Sequence, residues 1–180
     1  MVVQKVSSED FDTFVMLPEN RDRLFEFIGG EIIEVVSNGK SSRMGMRVGA
    51  RINLFVEQHD LGYVTGADGG YMVSGERYIP DAAFVSKQRQ PEPSNEPYNP
   101  IAPDLAVEVL SPSNDASEMR IKIVNYVRAG TTVWVFDPDK KHVEIYSPHH
   151  SPRVIGLDET LDGGNILPGF TLPVRDIFPE

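Results

Sequence analysis

The hydrophobic pattern is densest between Pro103 and Pro138. Leu105, Val107 and Val109 alternate with Ala106, Glu108 and Leu110, so both faces of the segment are apolar except where Glu108 interrupts one. This predicts a buried strand that carries a carboxylate. An ionised carboxylate in an apolar sheet is costly unless a cation, an ion pair or a proton compensates it, so Glu108 needs a partner. Beyond it, Asp115 with Glu118 three residues on fits a capping box. Met119, Ile123 and Val127 form a helical stripe, and Gly130 is placed to end that helix. Lys122, with Tyr126 four residues later on the same side, reads two ways: an ordinary surface lysine, or one lying along the helix toward Glu108. Residues 132–136 then predict a second, nearly continuous apolar strand closed by Asp137-Pro138.

Before this centre, residues 8–17 predict a short amphipathic helix capped by Ser7 or Ser8, burying Phe11, Phe14 or Val15, and Leu17, and ended by Pro18. Residues 24–28 and 32–36 flank Gly29-Gly30 as a β-hairpin whose first strand carries Glu26. A long helix is expected over 41–59, with Met44, Val48, Ile52 and Phe55 inward and Arg43, Arg47 and Arg51 in a row beside them. Gly45 and Gly49 lower its intrinsic stability by about 1 kcal/mol each, so they belong where another element packs closely. Strand pieces Y-V-T and Y-M-V surround the turn G-A-D-G-G, which lacks the lysine and hydroxyl of a phosphate loop and the spacing of a dinucleotide fingerprint. Residues 78–85 read as one strand entered through Pro80-Asp81, and 87–103 as a long loop. If the strands on either side pair antiparallel with Val85 or Ser86 opposite Asp104, Asp81 falls roughly opposite Glu108. After the centre, residues 143–146 pair back on the second strand, 153–157 extend the sheet, and the tail forms a strand fragment and one helical turn.

The 180 residues predict one domain over 1–180, with 40% apolar residues to build its core. Cysteine is absent, which excludes disulfides, cysteine nucleophiles and thiolate metal sites and is compatible with the cytoplasm. No export signal or membrane-spanning run is read. A formal net charge of −10 argues against a dedicated nonspecific nucleic-acid binder, though not against an enzyme with one basic face. The arginine row reads either as a solvated helix face or as a set of donors for a phosphate backbone. His149-His150 lie in a Pro-flanked turn with no carboxylate at ligand spacing, and His59 and His142 read as ordinary loop residues.

Carboxylates converging on one cavity beside a lysine are the means to bind Mg²⁺ or Mn²⁺ and activate water, because hard cations take oxygen ligands and acidify a bound water. At this point several segments together resemble the Uma2 family: F-E-F-I-G-G-E near the start, P-D-A-A-F-V around Asp81, L-A-V-E-V-L-S-P-S-N around Glu108, K-I-V-N-Y with a following A-G, and V-W-V-F-D-P. Uma2 proteins are placed in the PD-(D/E)XK restriction-endonuclease-like superfamily, and the resemblance runs through nearly the whole chain in order. It implies an α/β (α+β) fold with an αβββαβ core, a mixed sheet flanked by helices, and extra N- and C-terminal hairpins. It implies Asp81 and Glu108 as metal-binding acids on adjacent strands, Glu26 as accessory acid and Lys122 as active-site lysine. Leu110, not lysine, stands two after Glu108, and in this family the lysine comes from the next helix, where Lys122 lies. The family often has a histidine at the start of the first long helix, where S-S-R-M-G-M has none.

Two functions follow as expectations. One is a Mg²⁺- or Mn²⁺-dependent endonuclease acting on DNA, with Arg43, Arg47 and Arg51 as candidate backbone contacts. The other is a catalytically silent interaction module that keeps the nuclease fold and homodimerises, favoured by the net acidity and the missing histidine. A carbohydrate or nucleotide hydrolase with paired carboxylates fits the acids but leaves Lys122 without a role.

Overall fold

The computed structural model describes residues 5–112 and 115–178; residues 113 and 114, the end of the L-S-P-S-N motif, lie outside them. A six-stranded sheet forms the centre, in the order β11-β10-β9-β8-β6-β3. Its strands are β3 (Gly62–Thr65), β6 (Ala82–Ser86), β8 (Leu105–Val109), β9 (Thr132–Asp137), β10 (His142–Tyr146) and β11 (Arg153–Ile155). All neighbours run antiparallel except β8 and β9, which are parallel because the helix α3 (Ala116–Arg128) carries the chain back between them. A second, five-stranded sheet is ordered β2-β1-β5-β4-β7, from β1 (Phe25–Ile28), β2 (Glu31–Glu34), β4 (Gly70–Val73), β5 (Glu76–Tyr78) and β7 (Tyr98–Asn99). Helix α1 (Ser8–Val15) packs on β1. Residues 160–173 add a small hairpin, β12 (Thr160–Asp162) with β13 (Thr171–Pro173), and the single turn α4 (Val174–Ile177) follows.

Strand parity sorts the core into two layers. Leu105, Val107 and Val109 join Phe84, Trp134 and Phe136 under the long helix α2 (Gly39–Gln58) and the C-terminal segment. Ala106 joins Ala83, Val85, Val133 and Val135 on the opposite face, beneath Tyr126 of α3 and Tyr71, Val73 and Tyr78 of the five-stranded sheet. Glu108 shares the parity of Ala106 and so enters this second layer. The β1–β2 hairpin turns at Gly29 (φ +62°) and Gly30 (φ +87°), a left-handed pair that only glycine adopts at little cost.

Several sequence expectations need correction. Residues 78–85 are not one strand: β5 ends at Tyr78 in one sheet and β6 begins at Ala82 in the other, so Ile79-Pro80-Asp81 is the crossing between layers. The buried face of α3 is Met119, Lys122 and Tyr126, one position off the expected stripe, because the helix meets a carboxylate as well as an apolar sheet. In α2 Val56 rather than Phe55 completes the buried row. α1 stops at Val15, leaving Leu17 exposed, and Pro18 opens a short 3₁₀ turn instead. The 87–103 loop contains the two-residue strand β7, and His142 starts β10 rather than standing in a loop. The capping serine of α1 is Ser7, in a reciprocal box with Asp10.

Candidate active site

Lys122 is the hub of the buried layer. Spaced three after Met119 and four before Tyr126, it lies on the face that α3 turns to the sheet, and only 5% of its surface is exposed. Its Nζ donates to Glu108 Oε1 and to Glu26 Oε1, each at 2.8 Å. Glu26 reaches it from β1 in the other sheet, and its Oε1 also accepts the Ile79 backbone N–H at 2.7 Å. Tyr126 Oη donates to Glu108 Oε1 at 3.2 Å. The Tyr78 ring lies 5.6 Å from Nζ, in cation–π range, while its hydroxyl donates to Glu76 and accepts from Asn125 Nδ2 at 2.7 Å.

Asp81 arrives from the crossing. The observed register, Ala82↔Val107, Ala83↔Ala106 and Phe84↔Leu105, extends by one residue to Asp81 opposite Glu108. Asp81 Oδ2 accepts the Val109 N–H at 2.7 Å, which fixes the carboxylate at the end of the strand pair. Across from it stands Gly45 of α2: a Cβ there would lie 3.0 Å from Asp81 Cβ, and one on Gly49 would lie 3.2 Å from Ala82 Cβ. Both helix glycines thus sit where β6 and its approach press on α2, as their low helix propensity suggested. Gly45→Ala is expected to leave urea stability within about 1 kcal/mol, the helix gain offsetting the crowding. It should nonetheless push Asp81 off the Val109 amide, seen as lost hydrogen-exchange protection at that N–H. Retained protection would mean that the crowding is absorbed elsewhere.

Three carboxylates surround one ammonium, so two negative charges stay uncompensated when all are ionised. Burial pushes the Glu108 carboxyl up to about 7, and Glu26 and Asp81 add to the push against the opposing pull of Lys122. Burial also raises Asp81, against the Val109 hydrogen bond and Lys122. For Lys122, burial alone would favour the neutral amine, but Glu108 and Glu26 outweigh it and hold the ammonium above its ordinary value. The group is poised to accept positive charge beside Asp81 and Glu108.

A family model described as "Putative restriction endonuclease", that of Uma2, matches residues 11–175. The chain belongs to the Uma2 family. No curated protein matches it. The crystal structure of a putative nuclease belonging to DUF820 from Anabaena variabilis is similar at a TM-score of 0.81 and 25% identity, covering 93% of this chain and 96% of that one. The Uma2 fold anticipated from the sequence is therefore present, with its mixed sheet between helices.

In this Uma2 chain the expected acids and lysine come together, but the arginine row does not join them. Arg43 and Arg47 lie beside Pro138, Lys141 and Phe178, on the side of α2 away from Gly45 and Asp81. Arg51 is exposed and lines neither that pocket nor the one at Asp81. Sequence reasoning missed Tyr78 and the Ile79 amide as neighbours of the site. Tyr126 stood on the correct face of α3, yet nothing in the pattern disclosed the hydroxyl bond to Glu108. Among the described residues no group of three or more histidines, aspartates or glutamates is spaced to hold a metal ion. The donor chemistry that fits is narrower: two hard carboxylates, Asp81 and Glu108, on opposite register positions of adjoining strands where negative charge exceeds positive, suited to a cation that keeps part of its water shell. Among the described residues no helix is long and apolar enough to cross a membrane.

Proposed function

We propose that this Uma2 chain is a metal-dependent endonuclease that hydrolyses phosphodiester bonds of DNA. The observation that carries the reading is the buried arrangement of Glu26, Glu108 and Lys122 with Asp81 in register beside them. Asp81 and Glu108 would hold Mg²⁺ or Mn²⁺, which when bound neutralises charge on a phosphate and acidifies a water. Lys122, already a two-fold donor to carboxylates, acts as a hydrogen-bond donor that orients the attacking water or a phosphate oxygen, not as a base. Glu26 fixes Lys122 from the second sheet, and the Tyr126 hydroxyl holds Glu108 in place. Membership of a family described as putative restriction endonucleases and the likeness to the Anabaena putative nuclease support the reaction class.

The second reading, a catalytically silent, homodimeric module on the same fold, is favoured by two features: Lys122 already occupies Glu108 Oε1, and a third protein ligand is not in place among the described residues. One experiment separates the two. Wild-type protein is expected to nick and then linearise supercoiled plasmid in Mn²⁺ or Mg²⁺ and to stop in EDTA. Asp81→Asn and Glu108→Gln should lower the rate by at least about 100-fold, the loss typical when a catalytic charge is removed. Equal activity in all three proteins would mark a contaminant, and none in the wild type would leave the silent module standing.

A further inference from the structure

The chain carries 27 acids against 17 lysines and arginines, yet one cavity of about 520 Å³ is lined by Lys40, Arg43, Arg47 and Lys141 and, among the described residues, by no acid. Among the described residues neither Arg43 nor Lys141 has a carboxylate partner. Lys40 makes only an exposed pair with Asp139 at 3.3 Å, and Arg47 spends one donor on the Asp176 carbonyl at 3.0 Å. Cations gathered with so little compensation repel one another and attract an anion. The cavity has a direction: Lys40 and Pro138 also line a neighbouring groove of about 390 Å³, which Asp139, the partner of Lys40, shares with Leu110 and Pro112, just past Glu108 on the same chain. Lys141 is presented from a costly backbone position, φ +53°, in the β9–β10 turn, which the Asp137 side chain braces by accepting the Asp139 and Lys140 amides at 3.0 and 2.9 Å.

We infer that this cavity is a seat for the nucleic-acid backbone, in which Lys40, Arg43, Arg47 and Lys141 hold phosphates of a duplex whose path runs along the groove to the Glu108 end of β8. The inference rests on the nuclease reading for the identity of the anion, and it replaces the linear row of Arg43, Arg47 and Arg51 by a cluster that leaves Arg51 out. Such contacts are sequence-independent, since phosphates position a duplex without reporting its bases.

The test is a fluorescence-anisotropy titration, in EDTA so that no turnover occurs, of two labelled duplexes of unrelated sequence against wild type, Arg43→Gln, Lys141→Gly and, as control, Lys87→Gln, an exposed cation paired with Asp60. Arg43→Gln and Lys141→Gly are each expected to weaken both duplexes about threefold to tenfold at roughly 0.1 M salt and to lower the slope of log Kd against log salt by about 1. The control should match wild type. Lys141→Gly places glycine at a positive φ, so its melting temperature should hold or rise, and lost binding cannot then be ascribed to unfolding. Wild-type affinity and slope in both variants would overturn the inference, as would a wild type that binds neither duplex. Calorimetry with pyrophosphate supplies a further arm: pyrophosphate binding lost in the variants while duplex binding persists would make this a small-anion site and also overturn it. The two readings fail separately. Metal-dependent cleavage insensitive to both variants sinks only the phosphate seat, whereas slope changes without any cleavage sink only the nuclease.

Discussion

Glu108→Gln is expected to be more stable than the wild type at pH 8 in metal-free buffer, by up to about 3 kcal/mol, and close to it at pH 5. The sign follows from the raised carboxyl. In the unfolded chain Glu108 titrates near its ordinary value of 4.5, whereas in the folded protein burial and its acidic neighbours move it to about 7. The native state therefore binds the proton more tightly, and Glu108 subtracts from stability as pH rises from about 4.5 through 7. Glutamine keeps an acceptor for Lys122 and Tyr126 and carries no charge to bury, so the difference between the proteins should open over that window. Urea denaturation of both across pH 5 to 8 measures it. Added Mn²⁺ should stabilise the wild type at pH 8 and leave Glu108→Gln unmoved, because a ligand that binds only the folded protein shifts its stability by mass action. A mutant clearly less stable at pH 8 would make Glu108 a structural ion-pair partner and remove the charge deficit that points to a cation.

Lys122→Met should be the most damaging single change in the site. It removes the ammonium that both Glu26 and Glu108 share and leaves two buried carboxylates without their common partner, a situation that costs about 3–5 kcal/mol. Lys122 is held above its ordinary value, so the ammonium itself persists through the acid and neutral range and is lost only in strong alkali, while the negative charge it compensates falls as Glu108 takes up a proton. The deficit of the variant should accordingly be largest near pH 8 and shrink toward pH 5, where Glu108 takes up a proton. Lys122→Met with Glu108→Gln should recover a large part of the loss at pH 8, a coupling that a double-mutant cycle in urea would quantify. If Lys122→Met unfolds no more easily than the wild type, the pairing does not bear on stability, and the methylene stem rather than the charge is what fills the site.

Both predictions concern residues whose meeting was legible to different degrees. Glu108 could be singled out from the chain alone, because strict alternation across residues 105–110 makes a carboxylate on a buried face an anomaly. Its opposition to Asp81 also followed from local information, since an antiparallel pair has a fixed register once one partner is chosen, and Val85 opposite Asp104 is the register found. The two helix glycines were readable for a similar reason: an intrinsic cost in a helix implies a close neighbour. What the chain could not disclose is which surfaces the two sheets present to one another. Glu26 lies 96 positions from Lys122, and their contact exists only because the chain changes sheet at Ile79-Pro80-Asp81 and lays the first hairpin over α3. That crossing was read as continuous strand, because strand periodicity reports alternation and is blind to a change of layer. The same limit applied to the arginines, whose spacing of four places them on one side of α2 without saying what lies opposite. Sequence periodicity and residue chemistry thus determined most of the elements and the suspect acids of this Uma2 chain, and the family resemblance supplied the fold class. Only the packing of layers decided that one lysine would serve two sheets, and that the basic groups would gather at the β9–β10 turn rather than over Asp81, because such juxtapositions depend on long-range contacts that no local pattern encodes.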